Sequence, residues 1–152
     1  MFTPLRAKVL AGLGLVVLSV VSQTAALAQP TNCPQPRFTG KAPDDYYTRV
    51  NPLDPATDAN TKAGEQLFLG QSRVANCQIC HGKKGDGKGA LSSQYDPPPR
   101  NFACAATING VADGQLFWII RFGSPGTAMP PHPGLKDEQV WQVVQYLRGL
   151  AK

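Results

Sequence analysis

Two cysteines three residues apart, followed at once by a histidine, form the strongest chemical signal in the sequence: Cys77-Gln78-Ile79-Cys80-His81. On one helical turn, residues at i and i+3 share a face, so both sulfurs project the same way. That arrangement suits thioether bonds to the two vinyl groups on one edge of a haem. It also turns the next residue, His81, toward the iron. A structural zinc site would need a second Cys/His pair at similar spacing. Only Cys33, Cys104 and His132 remain, at unsuitable intervals. A thioredoxin-like dithiol would need a βαβ context, and no convincing strand pattern is present. The motif therefore predicts one covalently attached haem c.

A second axial ligand must lie far along the chain. Met129, in Gly126-Thr127-Ala128-Met129-Pro130, is the main candidate, since the other methionine is Met1. A thioether stabilises reduced iron, and a His/Met pair raises the potential. Pro130 would rigidify the loop. His132 is the alternative and would give a bis-His site of lower potential. Prolines on both sides, Pro131 and Pro133, restrict its reach, and the residue reads as a solvent-exposed loop histidine. Once the haem thioethers are assigned, Cys33 and Cys104 are left as a pair. In an oxidising compartment such a pair is expected to form a disulfide, pinning the segment around Cys33 close to Phe102. Lys83, Lys84 and Lys88 cluster just after the haem motif. They read as a solvated glycine-rich loop or, functionally, as a basic rim that steers the protein to an acidic face of a redox partner.

The elements that must position these residues follow from patterning. Residues 1–28 read as a signal peptide. Arg6 and Lys8 precede an apolar run from Val9 to Val21, and Ala26-Leu27-Ala28 fits the small-x-small cleavage rule. The apolar run is short against the roughly 20 residues needed to span a bilayer, so cleavage after Ala28 and export to the periplasm are expected. Losing Arg6 and Lys8 leaves 13 basic against 10 acidic residues, too weak an excess to suggest nucleic-acid binding. Residues 29–57 are proline-rich and lack helical periodicity, and read as an extended arm lying on the domain. Phe38, Tyr46 and Tyr47 argue that part of it docks. Residues 58–152 form the remaining domain. A first helix is predicted from about Asn60 to Leu69, ending at Gly70. A helical turn follows from Val74 to His81, then a glycine-rich loop and the extended Asp96-Pro97-Pro98-Pro99-Arg100-Asn101-Phe102. A middle helix fits Asp113 to Phe122, with Asp113 as N-cap and Gly123 as terminator. The last helix is the clearest. Val140, Val143, Val144 and Leu147 recur at helical spacing, with Asp137 and Glu138 in its first turn and Arg148 in its last.

From about Lys62 to Leu150 the chain resembles the class I c-type cytochromes. The ordered features that carry the likeness are the haem motif, the first helix with Gly64 and Phe68, the Pro-Pro-Pro-Arg-Asn-Phe stretch, Leu116-Phe117-Trp118-Ile119-Ile120 before the Met129 loop, and Trp141 and Tyr146 on the last helix. The resemblance is strongest to cytochromes of respiratory oxidases and periplasmic dehydrogenases. It implies an all-α fold of three main helices and long loops around one covalent haem, here with a proline-rich N-terminal arm. It implies a single-electron carrier, or a dedicated cytochrome subunit of a dehydrogenase or oxidase, rather than a haem enzyme or gas sensor. Its partners would be redox proteins, with no nucleic acid and no small-molecule substrate. It favours Met129 over His132 as the ligand. It also implies a crossing of the first and last helices at Gly64, Phe68 and Tyr146. A proline carbonyl, Pro98 or Pro99, would accept the proximal imidazole's other N–H. Arg100 could hold a haem propionate, and Trp118 could reach it or pack on the haem. The sequence departs from the family at Lys136, where Ser or Thr often caps the last helix, and in the arm with its extra cysteine.

Overall fold

The computed structural model describes residues 33–36 and 39–151; residues 1–28, with the expected signal peptide, and Phe38 lie outside them. Among the described residues six α-helices follow in order: α1 (Asp44–Tyr47), α2 (Asp58–Phe68), α3 (Gln78–His81), α4 (Ala105–Ile108), α5 (Asp113–Phe122) and α6 (Asp137–Leu150). A single 3₁₀ turn spans Ser92–Gln94, and the described residues contain no strand. The architecture is the expected all-α one, and α2, α5 and α6 are the three main helices.

The cross of α2 and α6 sets the frame. A Cβ on Gly64 would fall 2.0 Å from the Gln142 carbonyl oxygen and 3.0 Å from the Tyr146 Cβ. Only a residue without a side chain lets the two backbones approach this closely. One turn on, Phe68 packs against Tyr146 with ring centroids 5.3 Å apart. Around this cross, Phe68, Phe117, Ile108, Val140, Val143 and Val144 are fully buried. The valines recur on one face of α6, so its helical period is what delivers them to the core.

Helix ends differ from the sequence expectation in ways that have physical reasons. α2 starts two residues earlier than Asn60, because the Thr57 hydroxyl accepts the Asn60 backbone N–H at 3.2 Å and caps it. Only Gln78–His81 of the expected turn from Val74 is helical. Asp113 is the first residue of α5 rather than its cap. Its carboxylate instead receives two hydrogen bonds from Arg148 of α6, at 2.9 and 2.6 Å. That fork ties α5 to α6 across 35 positions. At the start of α6, Lys136 has no side-chain acceptor to offer. Gln139 Oε1 accepts the Lys136 N–H at 2.8 Å, which supplies half of a capping box.

The arm docks, as Tyr46 and Tyr47 suggested, but it is not extended throughout, because Asp44–Tyr47 closes one helical turn. The turn sits on α5, where a Cβ on Gly114 would fall 1.9 Å from the Tyr46 carbonyl oxygen. The wholly buried Gln115 amide is satisfied by the arm, accepting from the Ala42 N–H at 2.7 Å and donating to the Gly40 carbonyl at 3.1 Å. Asn51 Nδ2 donates to the Trp141 carbonyl at 3.1 Å. Cys33 and Cys104 form the expected disulfide, with Cα atoms 5.7 Å apart.

Candidate haem site

α3 is a single turn held at both ends. The Cys77 N–H donates to the Phe68 carbonyl at 3.0 Å, so the end of α2 fixes where the motif begins. Past His81 the chain turns at Gly82, and its backbone folds back on the motif. The Gly87 N–H donates to the His81 carbonyl at 2.8 Å, and the Gly89 N–H to the Cys80 carbonyl at 3.0 Å. Glycine is required at this return, since a Cβ on Gly89 would lie 2.3 Å from the Ile79 carbonyl oxygen.

The motif opens on a cavity of about 400 Å³, within the range of cofactor and ligand pockets. Cys77, Cys80 and His81 contribute one part of its lining. Met129 and His132, from the loop between α5 and α6, contribute another. Leu116, Ile120, Val143 and Leu147 bring the apolar faces of α5 and α6 to it, so the cavity is continuous with the core.

The imidazole of His81 is fixed in orientation. Nδ1 lies 3.0 Å from the Arg100 carbonyl oxygen, which can only accept, so Nδ1 carries the proton. Nε2 is then left with its lone pair. The ring stacks on Phe102 at 4.7 Å between centroids. Burial lowers the His81 pKa, and the nearby His132 and Arg100 charges push the same way, while the hydrogen bond to Arg100 opposes them. The neutral form is favoured, and a neutral imidazole is the form that ligates iron. Burial, and next the neighbouring Cys80, pushes the unreacted Cys77 thiol up to about 11, and burial also raises Cys80. Two thiols on one turn, an oriented histidine and a largely apolar cavity together fit a covalently held haem.

The other expected residues divide. Pro98 and Pro99 line the cavity, but neither carbonyl serves the histidine. Pro99 O accepts from Gln35 Nε2 at 3.2 Å, and the role expected of a proline falls to the next carbonyl, Arg100. Arg100 lines the cavity, and its guanidinium Nη1 also donates to the Gln35 and Pro36 carbonyls of the arm, each at 3.3 Å. Trp118 is not part of the cavity lining; it is half-buried, with its ring 6.3 Å from that of Phe122. Its position on α5 points to the reason: the neighbours Leu116, Ile119 and Ile120 line the cavity, leaving Trp118 on another face. His132 is not a solvent-exposed loop residue. It is partly buried, and burial lowers its pKa. Its backbone N–H donates to the Ile120 carbonyl at 3.2 Å, which draws it in toward the end of α5. Lys83, Lys84 and Lys88 are exposed. Three arm residues were missed altogether: Gln35, Pro36 and Thr39 all line the cavity. Cys33 was the available signal, because a bond to Cys104 brings residue 35 beside the 99–102 segment.

The cytochrome c family model matches residues 61–151, from α2 to the end of α6. The chain belongs to the cytochrome c family. Its members carry covalently bound haem c, and electron transfer is the chemistry of this domain. Among solved structures, the reducing HAO-like protein complex of Kuenenia stuttgartiensis matches with 26% identity and a TM-score of 0.56, covering 66% of this chain and 47% of the other. The chain thus spans about half the length of that relative. The c-type cytochrome KustC0563 matches at 29% identity and a TM-score of 0.47, over 59% of this chain and 98% of its own. Cytochrome CL of the marine methylotrophic bacterium Methylophaga aminisulfidivorans shares the fold at 20% identity and a TM-score of 0.50, over 81% and 73% of the two chains. No curated protein matches the chain.

Proposed function

We propose that this cytochrome c is a periplasmic single-electron carrier, with haem held by Cys77 and Cys80 and ligated by His81 and Met129. The observation that carries this reading is the fixed imidazole. With Nδ1 engaged by Arg100 O, only Nε2 is available as a ligand in the cavity that Met129 also lines. Bound there, haem c supplies one-electron exchange between ferric and ferrous iron. The protein's part is to hold both ligands with little rearrangement and to keep water out. His81 is 8% exposed, and the α5 and α6 faces close the interior behind it. Lys83, Lys84 and Lys88 supply a basic rim beside the motif for an acidic partner face. Export is supported by the basic start, the apolar run and Ala26-Leu27-Ala28, and the Cys33–Cys104 bond suits an oxidising compartment.

The test is Met129→Ala. The oxidised wild-type protein should show the weak far-red sulfur–iron band, and the variant should lose it and fall in potential while its haem stays attached. A band that survives in Met129→Ala would overturn the Met129 assignment, and a wild-type protein that lacks the band and whose spectrum is altered only by His132→Ala would put His132 in its place. A second reading, a dedicated cytochrome subunit, is favoured by the likeness to a protein of a complex. Co-purification of a stoichiometric partner from the native membrane fraction at moderate salt would support it over a diffusible shuttle.

A further inference from the structure

The peptide unit joining Arg100 to Asn101 is gripped at both ends. Its carbonyl accepts from His81 Nδ1 at 3.0 Å. Its N–H donates to Gln35 Oε1 at 2.6 Å. Both bonds end on one planar amide, so Gln35 and His81 are linked through a single resonant group. Gln35 is itself anchored. Its Nε2 donates to the Pro99 carbonyl at 3.2 Å, which fixes the orientation of its amide. Its backbone N–H donates to Thr107 Oγ1 at 3.0 Å, and its carbonyl accepts from Arg100 Nη1. Two residues before it, Cys33 is bonded to Cys104. The arm therefore delivers one side-chain oxygen to the far side of the amide that holds the histidine.

We infer that Gln35 is a positioning residue for the proximal ligand, acting on the haem potential through the Arg100–Asn101 peptide. The inference rests on His81 being the iron ligand. Hydrogen bonds in series polarise one another, by about 10–30% per bond. Drawing the Asn101 N–H toward Gln35 moves electron density onto the Arg100 oxygen. A stronger acceptor there pulls harder on the Nδ1 proton and raises the basicity of Nε2. A more basic ligand favours the ferric state, so Gln35 lowers the potential. In this chain the arm is thus more than a cover, because it sets the donor strength of the proximal histidine.

Two variants of the haem-loaded protein give opposite predictions. Gln35→Ala removes the acceptor. The midpoint potential should rise, and the His81 Nδ1–H proton resonance should move upfield. Gln35→Glu supplies a stronger, charged acceptor. The potential should fall, and the same resonance should move downfield. Loosening of the arm alone would shift both variants in one direction. Asn51→Ala, which breaks a different arm bond, should leave both readouts unchanged. If either Gln35 variant fails to accumulate, the wild-type protein decides. The Asn101 amide must then exchange with solvent as slowly as core amides, and fast exchange overturns the inference. Unchanged potentials, or shifts of one sign in both variants, also overturn it. A retained low-spin spectrum in those cases leaves the His81 assignment standing. Loss of low-spin character in the wild type would count against His81 and Met129 instead.

Discussion

The histidine side and the methionine side of the haem cavity are built on different principles. On the histidine side the chain is knitted to itself. The Gly87 N–H reaches the His81 carbonyl, the Phe102 N–H reaches the Gly85 carbonyl at 2.6 Å, and the arm fastens residues 99–101 through Gln35. On the methionine side, residues 124–134 hold themselves by local turns. The Ser124 N–H donates to the Met129 carbonyl at 3.1 Å, and Thr127 caps the turn with bonds to Ser124 and Met129. Most of that loop is exposed. The arm touches it through Thr39, whose hydroxyl bonds that of the buried Ser124. The histidine is therefore held by tertiary packing and the methionine mainly by a self-supporting loop. Disturbances should spread on the first side and stay local on the second.

The largest expected effect comes from cutting the arm loose. The Cys33–Cys104 bond closes a segment with a sequence separation of 71. By the chain-entropy model, removing a cross-link of that span costs about 4 kcal/mol. The double variant Cys33→Ser, Cys104→Ser should lose about that much in urea unfolding of the haem-loaded protein. Protection of the Asn101 amide should fall with it, while the far-red sulfur–iron band should persist. A band lost along with stability would show that the arm governs both sides equally.

A pair of glycines gives a sharper contrast. Gly87, beside His81, and Gly126, in the methionine loop, share a left-handed backbone, with φ of 76° and 78°. Their surroundings differ. A Cβ on Gly87 would meet the Pro99 carbonyl oxygen at 2.7 Å, whereas a Cβ on Gly126 would meet nothing within 4 Å. Gly126→Ala should cost only the left-handed strain, about 1 kcal/mol. Gly87→Ala adds a backbone collision that pushes on the 99–101 segment, for roughly 3 kcal/mol in all. Denaturant midpoints at constant slope would measure both. Equal costs would mean that the 99–101 segment can retreat freely, and the contrast between the two sides would fail.

The methionine side was the easier one to read from the sequence. A lone Met beside a proline, far from the attachment motif, needs no tertiary knowledge to be picked out. The motif itself and the three main helices were legible for the same reason, since each is set by spacing within one segment, whereas the Gly64 crossing joins two helices and was implied only by the family resemblance. The histidine side was legible only in its residues. That Arg100 rather than Pro98 or Pro99 supplies the carbonyl depends on how the return loop at Gly85–Gly89 registers against residues 99–103, which no local pattern encodes. Asp113 was misread as a cap because its partner, Arg148, comes from another helix. Gln35 was invisible, being a polar residue in a proline-rich arm that meets residues 99–101 only once the arm docks. His132 was misjudged because flanking prolines suggest exposure, whereas one bond to the Ile120 carbonyl draws it in.

His132 also supplies the smallest expected effect, and one confined to the methionine side. Burial lowers its pKa below the ordinary value of 6.5. The folded protein then binds the proton less readily than the unfolded chain does. The stability this residue contributes is fully present above about pH 6.5 and is lost as pH falls toward its depressed folded value. His81 is common to both proteins, wild type and His132→Gln, so whatever it contributes cancels in their comparison. Wild-type unfolding midpoints should therefore fall below pH 6.5 more steeply than those of His132→Gln, with the two curves parallel above pH 7. Curves parallel throughout would mean that His132 stays as accessible to protons in the folded protein as in the unfolded one. The loop from Ser124 to Gly134 would then be open around it, and the methionine side would be looser than its local turns imply.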